Sequence, residues 1–190
     1  MPTTLLTRHD SLTHLTLAPE LGASLVNWTR LSDDWPLLRH SNDQALAAAN
    51  PRRLACYPLA PWSNRIGGGG FACPDGWQAL AANSAHEALP IHGSAWQQTW
   101  QLVDATSDSA TLQLDSLQPF PYRARLQVRL VDGRLRLQAT HLGERPTWYG
   151  LGLHPYLTRT AHTRLQAQAS RVWLCNTDKL STQLAELPAA

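Results

Sequence analysis

Hydrophobic residues along much of this chain alternate with polar ones, and a period of two predicts half-buried β-strands. Leu15 and Leu17 flank Thr16, and the run from Leu12 to Leu17 follows Thr3 to Arg8 across a short Asp10-Ser11 turn. Pro19 and Gly22 punctuate, and a further strand is predicted from Ala23 to Thr29. Asp33 to Pro36 reads as a turn. The alternation is clearest from Thr111 onward, where Leu112 and Leu114 share a face. After Pro119 to Tyr122, Leu126, Val128 and Leu130 line one side of a strand. Asp132-Gly133 is a strong hairpin signal, and Leu135, Leu137 and Ala139 line the return. Arg123, Arg125, Arg129, Arg134 and Arg136 fall on the other face and read as a solvated charge run.

Other stretches are less regular. Ser41 to Asn50 is Ala-rich and predicts a short helix or a loop, stopped by Pro51. Arg52-Arg53 reads as a solvated pair. Tyr57 to Trp100 carries too many Gly and Pro residues to be regular, although Trp77 to Ala81 and Trp96 to Val103 read as strands. Gly67 to Gly70 predicts a tight hairpin loop; no Lys-Ser/Thr follows, so it is not a phosphate-binding P-loop. Gly150-Leu151-Gly152 lacks the third Gly and the helix of a dinucleotide fingerprint. Arg164 to Leu174 predicts one or two strands, and Asn176 to Ala190 a polar connection. With no repeat, linker or composition shift, residues 1–190 read as one all-β domain, a sandwich or a barrel.

The totals narrow the function. A net charge of +2 gives no reason to expect nucleic acid or an anionic membrane as partner. Three cysteines without a C-x-x-C argue against a disulfide framework or a structural zinc site. Eight His without metal-site spacing predict no metal, and no motif asks for a cofactor. The first ten residues lack an apolar signal core and no run approaches a membrane span, so the expected location is the cytoplasm.

Candidate chemistry concentrates between Tyr57 and Trp100, which holds Asn64, Arg65, a His92-Gly93 pair and Trp62, Trp77, Trp96 and Trp100. An Arg fork and an imidazole hydrogen-bond hydroxyls, and indoles pack on the C–H faces of a ring, so the set suits a sugar. Most of the tryptophans are expected in the core, with one or two lining a ligand site.

The segments PWSNRI at 61–66, GGF at 69–71, IHGSAW at 91–96 and GLGLHPYL at 150–157 resemble, in order, the motifs of the aldose 1-epimerase (galactose mutarotase) family. The resemblance implies an antiparallel two-sheet β-sandwich of the galactose mutarotase-like type. It also implies interconversion of the α and β anomers of a monosaccharide through an opened ring. In that chemistry a base takes the proton of the anomeric hydroxyl and an acid protonates the ring oxygen. By resemblance His154 is the acid, His92 holds a hydroxyl or assists, Arg65 binds sugar hydroxyls, and Asn64 braces the loop first and contacts the substrate second.

The chain also departs from the family pattern. The family's general base is a Glu well beyond the second His motif, with a sugar-binding Asp between them, and nothing after His154 resembles either segment. The acids there are Asp178 and Glu186. The chain thus resembles the first two thirds of the family, and the resemblance leads to the expectation of a domain truncated before its last strands. His141 stands where the family usually has Asn. Three readings follow: an aldose 1-epimerase, a non-catalytic carbohydrate-binding β-sandwich, or a truncated relic. A phosphosugar epimerase ranks lower; Arg52 and Arg53 are its only nearby candidates for a phosphate.

Overall fold

The computed structural model describes residues 3–143, 146–164, 166 and 168–187. Strands β1 (Leu6–His9), β2 (Thr13–Ala18) and β3 (Ser24–Arg30) form an antiparallel meander in chain order. Strands β4 (Pro58–Leu59), β5 (Gly70–Cys73) and β6 (Gly76–Ala79) follow, then β7 (Gln101–Ala105), β8 (Ser109–Ser116), β9 (Tyr122–Val131) and β10 (Arg134–His141). The last four make a second antiparallel sheet in the order β10-β9-β8-β7. Strand β11 (Gly152–Leu153) pairs with β4, and β12 (Arg171–Cys175) with β13 (Ser181–Glu186). The one α-helix among the described residues, α1 (Asp43–Ala47), is short and capped by Asn42, whose Oδ1 accepts from the Ala45 amide at 2.9 Å.

The alternation explains the packing. In β9 every second residue from Tyr122 to Leu130 is buried, and the register sets Leu126 opposite Leu112 and Val128 opposite Ala110. Those side chains meet Leu15, Leu17 and Leu25 of the meander and Trp62 and Trp100 of the intervening chain in one apolar cluster. Two antiparallel sheets sharing a core in this way form a β-sandwich. The opposite face of the second sheet carries the arginines, where Arg123 pairs with Asp115 and Arg129 lies 3.8 Å from Asp108. No helix among the described residues is long and apolar enough to cross a membrane.

Several local expectations need correction. Trp96 to Val103 is not a continuous strand: Ala95–Gln97 is a 3-10 turn and β7 starts only at Gln101. The indoles decide this, because Trp96 Nε1 donates to the Gly93 carbonyl and Trp100 Nε1 to the Ala95 carbonyl, both at 2.9 Å, curling the chain around two buried rings. The Gly run is a turn only as far as Gly69; Gly70 opens β5 against β6. A Cβ on Gly70 would lie 2.1 Å from the Gln78 carbonyl oxygen, so this strand end needs Gly. The segment read as a polar connection contains β13. Its pair, β12, is exposed at every position, so no buried face imposes a period on this hairpin. Among the described residues of 164–170 none is in a strand; residues 165 and 167 lie outside the described set.

Candidate functional site

The two motif regions are laced together by backbone. The Gly150 amide donates to the Pro61 carbonyl at 2.8 Å, His154 to Tyr57 at 2.9 Å and Tyr156 to Ala55 at 2.8 Å. Residues 150–156 therefore run antiparallel to 55–61, with the β4–β11 pair at the centre. This register lays the His154 ring on Tyr57, with centroids 4.9 Å apart and planes 13° apart. Tyr156 packs on the other neighbour, 4.8 Å from His154.

His92 reaches the same place from a turn. Its φ is 61°, in the left-handed region, and its amide donates to the Asn64 carbonyl at 2.9 Å. The Asn64 amide donates back to His92 Nδ1 at 3.2 Å. An accepting Nδ1 leaves the ring proton of the neutral imidazole on Nε2, available to a ligand. Gly93 must follow: its φ is 65°, and a Cβ there would lie 1.9 Å from the Ala60 carbonyl oxygen. The His92 and His154 rings meet edge to face, 5.4 Å between centroids at 77°. Asn64 joins the site through its backbone, at φ 59°, which Asn tolerates.

Arg65 is next along the chain and pairs with Ile91 across an isolated bridge. Its guanidinium is held along one edge by Glu87, Nε to Oε2 at 3.0 Å and Nη2 to Oε1 at 2.8 Å. Both side chains are largely covered, at 13% and 18% exposure. Burial pushes the Glu87 carboxyl upward, but the Arg65 hydrogen bonds and charge, with Lys179 and Arg52 beyond, outweigh it and hold the group below the usual range. The turn that carries Lys179 also packs here: Leu180 Cδ1 would stand 2.7 Å from a Cβ on Gly67.

Two further arginines border the histidines. Arg39 lies over the Tyr156 ring, Cζ 3.7 Å from its centroid, and its Nη2 donates to the carbonyls of Arg52 (2.7 Å) and Leu54. Arg52 lies over Trp96, Cζ 5.0 Å from the ring, with Nη2 buried and without a hydrogen-bond partner. Only Arg53 of the Arg52-Arg53 pair is exposed, which corrects the expectation that both are solvated. Trp96, by holding both Gly93 and Arg52, is what keeps Arg52 inward.

These charges set the protonation of the site. Burial, then the neighbouring His154, Arg52 and Arg65, push His92 down to about 4, with Glu87 opposing. Burial lowers His154 too, against its own backbone hydrogen bond, and Arg52 and Arg39 add to the effect. Both imidazoles are therefore neutral at pH 7, each offering one N–H.

Arg65, His92 and His154, singled out in the sequence, thus come together, and Asn64 clips His92 in place. The sequence offered no signal for Glu87 or Arg39. Tyr57 and Tyr156 could have been found, since Tyr156 lies inside the second His motif and Tyr57 four residues before Pro61. Of the four tryptophans in the stretch, Trp62, Trp96 and Trp100 are buried and Trp77 is 61% exposed. His141 stacks on Tyr149, with centroids 3.4 Å apart. Asp178 and Glu186 are exposed, and Glu186 faces Arg171 across β12–β13. Among the described residues no group of His, Cys, Asp and Glu could hold a metal ion.

A cavity of about 560 Å³ is lined in part by Arg39, Pro155 and Tyr156, and neither His92 nor His154 is in its lining. A larger concavity of about 960 Å³ lies on the β7–β10 sheet, and its lining includes neither histidine. A small-ligand site joins a concavity with a few convergent polar groups on an apolar, often aromatic, lining.

A sequence profile of the aldose 1-epimerase family matches residues 5–187. YphB, an uncharacterised protein of Escherichia coli K12, is 31% identical over 157 residues, 81% of this chain and 53% of its own length. YihR of the same organism, also uncharacterised, is 26% identical over 138 residues, 69% of this chain and 40% of its own length. The chain therefore spans about half the length, or less, of these relatives. Among solved structures, a proposed aldose 1-epimerase of Escherichia coli K12 superposes with a TM-score of 0.84 at 28% identity, over 98% of this chain and 63% of that one. A galactose mutarotase-like protein of Clostridium acetobutylicum shares the fold, with a TM-score of 0.76 at 14% identity over 99% of this chain and 66% of that one.

Proposed function

The chain belongs to the aldose 1-epimerase family, and from that premise we propose that it binds a monosaccharide in its ring form at the Arg65, His92 and His154 site. The observation that carries the proposal is the edge-to-face pair of His92 and His154, delivered by two separate motifs and backed by Tyr57. Two neutral imidazoles, each with one N–H, and the guanidinium edge that Glu87 leaves free are donors, and sugar oxygens are acceptors. His154 is assigned to the ring oxygen, His92 and Arg65 to hydroxyls, and Asn64 to bracing His92.

Catalysis asks more than binding. The ring oxygen needs a proton from an imidazolium, yet burial and the arginines keep His154 neutral at pH 7 in the empty site. The anomeric hydroxyl needs a base. Among the described residues the carboxylate whose charge reaches His92 is Glu87, and Arg65 occupies both of its oxygens. A positioned acid or base is worth ~10²–10⁴ in rate. The chain is therefore a sugar-binding relative of the mutarotases with little catalytic power of its own. Polarimetry on fresh α-glucose tests this: anomer interconversion should stay near the spontaneous rate. Strong acceleration that disappears in His154→Ala would instead make the chain a full aldose 1-epimerase with a base other than Glu87.

A further inference from the structure

We infer that the monosaccharide taken by this site carries an anionic oxygen group, a phosphate ester or a carboxylate, received by Arg52 with Arg39 at its flank. The inference rests on the sugar-site reading above and names the class of sugar. Its first ground is the orphaned donor. Arg52 Nη2 is buried beside the Trp96 ring without a hydrogen-bond partner, and Arg39 Nε is buried and unpartnered as well. Buried polar groups in folded proteins are rarely left unmatched, each exception asks for an explanation, and an acceptor brought by a ligand is one. A neutral hydroxyl can fill such a place, but a guanidinium matches two oxygens of one anionic group, with shorter and stronger bonds.

The second ground is charge. Arg39 lies on Tyr156 and Arg52 on Trp96, the rings beside His154 and Tyr57; Arg39 and Arg52 act on His154, Arg52 and Arg65 on His92, and Glu87 is the carboxylate that opposes them at His92. The Arg65 pair cancels one positive charge, and the rest remain in a partly buried setting where the field is strong. Arg52 is fixed from both sides, by its ring contact with Trp96 and by its carbonyl, which accepts from Arg39. Such a site is preorganised for an anion and disfavours a cation.

The consequence reaches the chemistry. The same arginines lower His154, so an anion that offsets their charge moves His154 back toward its ordinary range. The anionic sugar would then restore some of the acid character that the empty site lacks.

The test is a set of calorimetric titrations of the 190-residue chain at low salt with glucose, glucose 6-phosphate, glucuronate and inorganic phosphate. At least one anionic sugar should bind about tenfold or more tighter than glucose. That ratio should shrink as salt rises. It should fall toward one in Arg52→Gln and largely survive in Arg52→Lys, with circular dichroism reporting that each variant is folded. The tighter of the two anionic sugars tells phosphate from carboxylate. Equal affinities for glucose and both anionic sugars would overturn the inference and leave the sugar site standing. A ratio that persists in folded Arg52→Gln would also overturn it. Arg52-dependent binding of inorganic phosphate with no binding of glucose or glucuronate would keep the anion site and remove the sugar. No binding of any of the four would remove both.

Discussion

Arg65 and Glu87 form a two-pronged ion pair at 2.8–3.0 Å beside the histidine pair, and Glu87 comes from a stretch that carries no recognisable motif. The pair occupies Nε and Nη2 along one edge of the guanidinium, which leaves Nη1 for the sugar in the proposed site. In the proposed site Glu87 is thus a positioning residue, and Arg65 is the one that meets the sugar.

Glu87→Ala should weaken glucose binding several-fold, because a freed Arg side chain must be ordered again at a cost of about 0.5–1.5 kcal/mol. In an Arg65→Ala background the same change should add almost nothing, since the two act as a unit. Titration of the double-mutant cycle checks it. Binding that is unchanged or tighter in Glu87→Ala would mean that the carboxylate competes with the sugar.

Gly93→Ala should damage the site and the fold together. The new Cβ would lie 1.9 Å from the Ala60 carbonyl oxygen, in a residue with φ at 65°. Backbone strain of this kind costs about 1–3 kcal/mol, before any shift of the neighbouring strand. Thermal unfolding should show a Tm lower by several degrees. An unaltered Tm would contradict the close backbone approach on which the His92 placement rests.

The His92 shift sets a pH window. Folded, the ring takes its proton only near pH 4; unfolded, it does so from about 6.5 downward. Between these values the unfolded chain binds more protons. The stabilisation is therefore complete above about 6.5 and is lost as pH falls toward 4. Allowing for the half-exposed ring, the loss is on the order of 1–2 kcal/mol. His154 is shifted in the same direction. Urea midpoints measured from pH 8 to 4.5 should fall, and His92→Asn, which tolerates the positive φ, should flatten part of the slope. A midpoint independent of pH over this range would contradict the burial of the pair.

The sandwich was legible where one face is buried. Leu126, Val128 and Leu130 alternate because β9 packs on the meander, and Asp132-Gly133 marks its end. The site was legible where a residue is tied to a local backbone device: His92 needs Gly93 after it, and His154 directly follows the short β4–β11 pair. It was not legible where partners meet only through the fold. Glu87 finds Arg65 and Arg39 finds Tyr156 across loops without periodicity. Arg52 looked like half of a solvated pair because nothing local reveals that the Trp96 ring draws it inward. Strand β13 was missed because a hairpin exposed on both faces leaves no pattern of burial in its sequence.

The central claim is that Arg65, His92 and His154 make one sugar site, and a titration followed by NMR of the histidine ring protons tests it most directly. With glucose, galactose and glucose 6-phosphate as ligands, the signals of His92 and His154 should move together and saturate for at least one sugar. Arg65→Ala should weaken that binding about tenfold or more, the loss of a hydrogen bond to a charged group being worth ~1.5–3 kcal/mol. Folded protein whose His92 and His154 signals do not respond to any of these sugars, or respond identically in Arg65→Ala, would contradict the account.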